Sequence, residues 1–123
     1  MMVQTKIGFG PVASGEIEVL GETGASVNSS QIDFTQEGKI LLFLCPVSRS
    51  LLEKASLVGA IGAIVPSMHF RDYDYFQGLK EFPLLVVLKF GNLDLDSEMT
   101  EKLRKLAGKK GKLDGEKKTF DAG

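Results

Sequence analysis

The chain has only one cysteine and one histidine among its 123 residues, and it has no long run of apolar residues. A single cysteine excludes a disulfide within the chain, and with one histidine it leaves too few soft ligands for a structural zinc site. The longest apolar run, residues 40–44, is far too short to span a bilayer. We therefore expect no membrane segment, no metal site and no cofactor.

The amino terminus, MMVQTKIGFG, lacks the basic-then-apolar layout of a secretory signal. Together with the low cysteine content, this predicts a reducing, cytoplasmic location. The length suits one domain, residues 1–123, with a real hydrophobic core. A content of 43% hydrophobic and 25% charged residues is ordinary for a globular protein, so composition predicts a class and not an activity.

The net charge of −1 is unevenly distributed along the chain. Residues 1–100 carry 7 basic and 12 acidic side chains, whereas residues 101–118 carry 8 basic and 3 acidic ones. A basic segment can attract phosphates, so binding of an anionic ligand or a nucleic acid by residues 101–118 is one hypothesis. Such segments are more often solvated helix faces or guarded edge strands, so we do not expect nucleic acid to be the main partner.

Alternating apolar and polar residues predict β-strands in the first third of the chain. VQTKIGF (3–9) and SGEIEVL (14–20) have period two, and QIDF (31–34) is a further candidate strand. GPVASG (10–15) and GETGAS (21–26) are predicted loops, because glycine and proline interrupt regular structure. Strands of this kind have one face on a core and one face in water.

The middle of the chain predicts three buried strands separated by helices. KILLFLC, AIGAIVP and FPLLVVLKF are nearly continuous apolar runs, which are typical of strands buried on both faces. The first crossover is predicted to be a helix that begins at Ser48 or at Ser50. Ser50 and Glu53 fit a capping box, and Gly59 fits the end of the helix. The second crossover, MHFRDYDYFQGLK, is predicted to be a short helix or turn. The predicted inward stripe of the first helix is Leu51, Leu52, Ala55 and Val58, with Leu57 as a further candidate.

The last part of the chain predicts a helix followed by a hairpin. The helix begins at Asp96 or Ser97 and ends at Gly108. Its predicted inward residues are Met99, Leu103 and Leu106. The dipeptide Asp114-Gly115 favours a tight hairpin turn between two short strands. Because parallel strands need crossovers, residues 39–89 are predicted to form a small parallel sheet that these flanking elements extend or cover.

The stretch GKILLFLCPVSRSLLEKASLVGAIGAIVPS, followed by FPLLVVL, resembles the core of the protease-associated domain and its relatives with the swivelling β/β/α fold. The likeness covers roughly residues 38–90 and consists mostly of glycines and core residues. FGNLDLDSEMTEKLRKLAGKKGKLDG is similar to uncharacterised prokaryotic domains of the same fold. The resemblance implies an α/β fold with a parallel β-α-β-α-β core, amino-terminal strands, and a carboxy-terminal helix and hairpin. It implies no activity, because a fold alone does not supply a function.

Ligands of open α/β sheets bind beyond the carboxyl ends of the parallel strands. The residues that follow the three predicted parallel strands should therefore form one edge, which we call the rim. The predicted ligand-binding residues of the rim are Cys45, Ser48, Arg49, Ser67, His69, Arg71 and Asn92, and the rim is completed by Pro46, Phe90 and Gly91.

The sequence favours a non-catalytic binding module whose rim contacts a protein or peptide partner, and a homo-oligomer is compatible with it. The alternative is a small thiol-dependent enzyme with Cys45 as nucleophile, Arg49 as anion anchor and His69 as base. Against that alternative, cysteine is among the most often buried residue types. A surface or partly packed position likewise explains His69. The aromatic residues Phe70, Tyr73, Tyr75 and Phe76 form either an exposed platform or a packed helix face.

Overall fold

The computed structural model describes residues 2–21, 27, 29–79, 82–91 and 95–122, which form a mixed α/β structure. The strands are β1 (Met2–Gln4), β2 (Ile7–Phe9), β3 (Val12–Leu20), β4 (Ile40–Phe43), β5 (Gly62–Val65), β6 (Leu84–Val86), β7 (Lys110–Asp114) and β8 (Thr119–Ala122). The α-helices are α1 (Arg49–Leu57), α2 (Phe70–Leu79) and α3 (Ser97–Arg104).

The strands form one curled sheet in the order β1-β8-β7-β3-β4-β5-β6-β2. Strands β3 to β6 are parallel, so the predicted parallel arrangement of the three apolar segments is confirmed, and β3 adds a fourth strand. The other pairings are antiparallel. Strands β1 and β2 lie at opposite ends of this order, although only residues 5–6 separate them. The sheet must therefore curl until its two ends approach each other.

Strands β4, β5 and β6 are buried on both faces because their side chains alternate between two hydrophobic clusters. In β4, Leu41 and Phe43 belong to a cluster that also contains residues of α1 and α2. Ile40 and Leu42 belong to a second cluster, which contains residues of α3, β7 and β8. The continuous apolar runs in the sequence therefore reflect burial between two layers.

Helix α1 begins at the earlier of its two predicted sites. Ser48 is the N-cap, and its Oγ accepts the backbone N–H of the third helical residue at 3.4 Å. The helix ends before Gly59, whose φ of +97° suits glycine. Leu52 and Ala55 are buried as predicted. Leu57 is 85% exposed, so its place in the inward stripe is wrong, because it lies about 200° around the helix from Ala55.

The two remaining helices are where the sequence predicts them. The aromatic-rich stretch forms the ten-residue helix α2. Helix α3 has Asp96 as its N-cap, whose Oδ1 accepts the N–H of Met99 at 2.7 Å. Leu103 in α3 and Leu106 in the turns after it are buried as predicted. The predicted end at Gly108 is wrong, because α3 ends at Arg104 with Lys105 as its C-cap, and turns follow as far as Gly108. The starts of α1 and α3 are thus set by polar side-chain caps.

The predicted loop at residues 10–15 is wrong, because β3 begins at Val12. Residues 12–16 pair with β7, which supplies the hydrogen bonds that make this glycine-containing stretch extended. Glycine and proline indicate a break in local structure, but pairing with a distant strand overrides that preference. The predicted loop at 21–26 lies outside the described residues, apart from Gly21.

Residues 29–36, before β4, contain the two 3₁₀ turns Ser29–Gln31 and Phe34–Gln36, and the prediction of a strand in QIDF is wrong. Asp33 caps the second turn: its Oδ1 accepts the N–H of Thr35 at 2.9 Å, and its own N–H donates to Oε1 of Gln36 at 3.1 Å. This reciprocal capping satisfies the polar groups locally, so the segment needs no strand partner.

The predicted hairpin is confirmed, although its connection contains four residues and is wider than a tight two-residue turn. Asp114 pairs with Thr119, and its Oδ1 accepts the N–H groups of Glu116 and Lys117 at 3.1 and 3.0 Å. A four-residue connection forms because the aspartate side chain organises the turn, and Lys118 takes the left-handed conformation with a φ of +58°.

Candidate functional site

The carboxyl ends of β4, β5 and β6 lie at one edge of the sheet, because these strands are parallel and in register. Pairing continues past β5 and β6 through an isolated parallel bridge between Met68 and Phe90. The N–H of Gly91 then donates to the carbonyl oxygen of Met68 at 2.9 Å. The segments that follow the second and third apolar strands therefore meet in space at the rim.

Two of the predicted rim side chains are fully buried. Cys45 lies at the end of the β4 segment, and a methyl group placed on Gly21 would approach its Sγ to 2.7 Å. Ser67, which follows β5, is also completely covered. A ligand on the surface contacts neither side chain in this conformation. Asn92 lies outside the described residues.

His69 is exposed and engaged at the start of helix α2. Its Nδ1 accepts the backbone N–H of Arg71 at 3.1 Å, and its carbonyl oxygen accepts the N–H groups of Asp72 and Tyr73 at 3.0 and 3.2 Å. It therefore acts as the N-cap of α2. Because Nδ1 is an acceptor, the proton of the neutral ring is on Nε2.

Arg49 joins the first turn of α1 to helix α2 at the protein surface. Its guanidinium lies 4.8 Å from the ring centroid of Tyr75. Its Nε lies 3.9 Å from Oδ1 of Asp72 and 4.0 Å from Oε1 of Glu53. These separations are long for ion pairs, and the groups are partly solvated, so the guanidinium keeps donor capacity toward a further carboxylate.

A groove of about 260 Å³ begins beside this arginine and runs between α1 and α2. It is lined by Glu53, Ser56, Leu57 and Tyr75. Tyr75 is 42% exposed, and Leu57 is the most exposed large apolar side chain among the described residues. We call the set of Arg49, Glu53, Leu57, Asp72 and Tyr75 the α1–α2 surface.

The aromatic residues of α2 divide between the core and the surface. Tyr73 and Phe76 are buried, whereas Phe70 is 55% exposed and contacts Phe90 with ring centroids 5.2 Å apart. The ring of Tyr73 also contacts that of Phe90 in a tilted arrangement, with centroids 5.1 Å apart. The Tyr73 hydroxyl donates to the carbonyl oxygen of Gly8 at 3.1 Å. Burial raises the pKa of Tyr73. Both readings of the aromatic stretch are therefore partly right, since one helix face packs and the other is exposed.

The basic carboxy-terminal segment does not present a uniformly positive face. In α3, Lys102 pairs with Glu98 at 3.2 Å. On the sheet, Lys110 lies opposite Glu16 in the β3–β7 register, and Lys112 lies opposite Asp121 in the β7–β8 register. The basic side chains thus alternate with acidic partners from elsewhere in the chain.

A second groove, which no sequence pattern predicts, lies at the edge of the sheet opposite the rim. It encloses about 410 Å³ and is lined by residues 11–13, 60–61 and 82–83, with Ser56. These residues precede or begin parallel strands, and we call this groove the amino-edge slot. No sequence signal identifies it, because it arises from a difference in length between neighbouring strands.

Comparison with known proteins gives no assignment for this chain. No model of a known protein family matches it, and no curated protein matches its sequence. In the described ranges, no three histidine, cysteine, aspartate or glutamate residues cluster closely enough to hold a metal ion. The same ranges contain no helix that is both long and apolar enough to cross a membrane. The geometry of the surface is therefore the basis for inferring a function.

Proposed function

We propose that the chain is a swivelling β/β/α-type domain that works as a non-catalytic protein- or peptide-binding module. Support for the fold comes from the layering: an antiparallel group of strands, a parallel group, and helices α1 and α2 on the far face. This layering agrees with the resemblance of residues 38–90 to the protease-associated domain. Because the fold hosts no single activity, the binding role is argued from the surface alone.

The observation that carries the proposal is the composition of the α1–α2 surface. Arginine and tyrosine are enriched at the centres of protein interfaces, and here Arg49 and Tyr75 are held against each other. The exposed Leu57 supplies an apolar contact along the same groove. Binding a partner would remove this leucine from water, which is the main source of affinity at such sites.

The chemistry of the surface favours a segment that carries a carboxylate next to an apolar side chain. The guanidinium of Arg49 can donate two hydrogen bonds to a partner carboxylate, and such a bidentate pair is stronger than its long contact with Glu53. The apolar side chain of the partner would lie along the groove against Leu57. The rim residue His69 and the exposed Phe70 lie at the start of α2 and extend the contact area.

A peptide selection tests this proposal. A displayed library of random peptides is selected on the folded protein, and the selected peptides are synthesised for fluorescence anisotropy. We expect Arg49→Ala and Leu57→Ser each to raise the Kd about tenfold. Lys112→Ala, on the exposed face of β7, is the matched control and should leave the Kd unchanged. NMR titration of the ¹⁵N-labelled protein with a selected peptide locates the binding site. Chemical-shift changes only in amides away from α1 and α2 would contradict the proposal.

The thiol-dependent enzyme is the other proposal for the rim. It requires Cys45 to reach a substrate, and the burial of that side chain does not favour it. Binding of anionic ligands by the basic segment is a further proposal, which predicts retention on heparin that falls steeply with salt. The acidic neighbours of Lys102, Lys110 and Lys112 weaken the field on which this would depend.

A further inference from the structure

The amino-edge slot lies where β4 would continue if that strand were longer. Strand β3 pairs with β7 over residues 12–16, but its pairing with β4 begins only at Ile17. Before β4 the chain turns away at Gly38, whose φ is +75°. Within the part of the chain that the structure describes, residues 12–14 therefore have a strand partner on one side only. On their other side lies the slot, which Val12 and Ala13 line.

The backbone of β3 offers hydrogen-bonding groups to this slot. The N–H of Ile17 donates to the carbonyl oxygen of Lys109 at 2.8 Å, which continues the β3–β7 register. In an antiparallel pair, bonded and non-bonded residues alternate, so residues 13 and 15 point their polar groups at β7. The N–H and C=O groups of Val12 and Ser14 therefore point away from β7, on the side of β3 where Val12 lines the slot.

Two close backbone contacts define the ends of the slot. A methyl group on Gly10 would lie 2.5 Å from Cα of Pro83, and one on Gly15 would lie 2.6 Å from the carbonyl oxygen of Gly38. Between these points residues 12–15 of β3 extend for about 10 Å, at roughly 3.3 Å per residue. The walls are mainly apolar, with Ile61 and Pro83 facing β3 across the opening. The space suits a short extended segment.

We propose that the amino-edge slot binds an extended, uncharged peptide segment of a partner protein, which adds to β3 in line with β4. A free strand edge supplies main-chain hydrogen bonds, and alternate apolar side chains of the added strand would fill the apolar cavity. The site is distinct from the α1–α2 surface, although Ser56 borders both grooves. It gives the module a second contact that recognises strand conformation.

The test uses the peptide acetyl-KTVTVTK-amide, whose five central residues form an uncharged strand and whose terminal lysines only keep it soluble, and two N-methylated versions of it, each methylated on alternate residues. Titration into ¹⁵N-labelled protein should shift the amides of Val12 and Ser14. One methylated peptide should bind about tenfold more weakly than the parent, because it loses the hydrogen bonds to β3, and the other should keep its affinity. No shift at millimolar peptide, or equal binding of both methylated peptides, would overturn the proposal.

Two variants locate the binding. Ser56→Trp covers the slot from an exposed position on α1, and Ala13→Glu places a charge at its wall. Each should weaken the parent peptide about tenfold. Gln77→Ala, on the exposed face of α2, is the control. A dimer in solution that Ser56→Trp abolishes would assign the slot to a second copy, and peptide shifts confined to the α1–α2 surface would also overturn the proposal. Thermal melts confirm that each variant is folded.

Discussion

The guanidinium of Arg49 lies over the ring of Tyr75, with 4.8 Å between Cζ and the ring centroid. This contact links helices that follow two different parallel strands, so two distant segments of the chain contribute to one exposed surface. Both side chains remain substantially accessible to solvent. The pair is therefore available to a partner and is not needed to fill the core.

Removing Arg49 should hardly affect stability. An exposed cation–π contact and exposed ion pairs contribute about 1 kcal/mol or less, so Arg49→Ala should lower the free energy of unfolding by no more than that. Urea denaturation of the variant and the parent measures the difference. A loss of about 3 kcal/mol would show that Arg49 has a structural role, and would count against a surface kept for binding.

Tyr73 should ionise at higher pH than an ordinary tyrosine. The chain has only two tyrosines and no tryptophan, so Tyr75→Phe leaves a single phenol to follow by absorbance at 295 nm. Because burial raises the pKa of Tyr73, its midpoint in the folded variant should lie above 10.0, its ordinary value. In guanidinium chloride the midpoint should return to that value. Equal midpoints in the folded and unfolded protein would contradict the burial of this hydroxyl.

The same shift predicts the direction of a pH effect on stability. A folded-state pKa above the unfolded value means that the folded protein binds more protons at alkaline pH. The contribution of Tyr73 is therefore complete below about pH 10 and is lost as the pH rises through its folded pKa. Tyr73→Phe should remove this part of the decrease in the free energy of unfolding at alkaline pH. Urea denaturation of the variant and the parent at pH 9 and above measures the difference.

Cys45 should be protected from thiol reagents in the native protein. Its side chain is fully buried, so iodoacetamide should label it only as fast as the protein opens, and labelling should become fast in denaturant. The absence of other cysteines makes mass spectrometry of the intact chain a direct readout. Labelling at pH 6 faster than that of a free thiol would instead support the thiol-dependent enzyme.

Gln36 should contribute more to the free energy of unfolding than an exposed polar residue does. It is buried, and its Nε2 donates to Oε2 of Glu18 at 2.6 Å and to the carbonyl oxygen of Gln31 at 2.7 Å. Gln36→Ala leaves both acceptors without this donor, so we expect a loss of roughly 2 to 3 kcal/mol by urea denaturation. The exposed Gln77→Ala should change stability by less than about 0.5 kcal/mol. Similar values for the two variants would contradict a structural role for this network.

Local patterns were sufficient to predict the elements that carry their own signals. Ser48 and Asp96 cap their helices through their own side chains, and the glycines that follow α1 and α3 have positive φ. The apolar runs of β4, β5 and β6 predict strands buried on both faces, and these strands are parallel as expected. In each case the determining interactions lie within a few residues, or repeat with a period that the sequence displays.

The candidate site was less predictable than the fold. Strand order places Cys45, Ser67 and His69 at or after carboxyl ends, but it does not say that the first two are buried and the third exposed. Side-chain exposure at a strand end depends on which loops and helices cover it. The contact between Arg49 and Tyr75 likewise depends on how α1 and α2 pack, which their separate sequences do not encode.

Periodicity, caps and turn residues act over short distances, so the helices, the parallel apolar strands and the carboxy-terminal hairpin follow from the sequence alone. Contacts between distant segments decide that residues 12–13 extend the strand predicted at 14–20, that the sheet curls until β1 and β2 approach, and that a slot opens where β4 stops short. These features depend on hydrogen bonds and packing between segments far apart in the chain. These interactions form, and stabilise the fold, only when those segments come together.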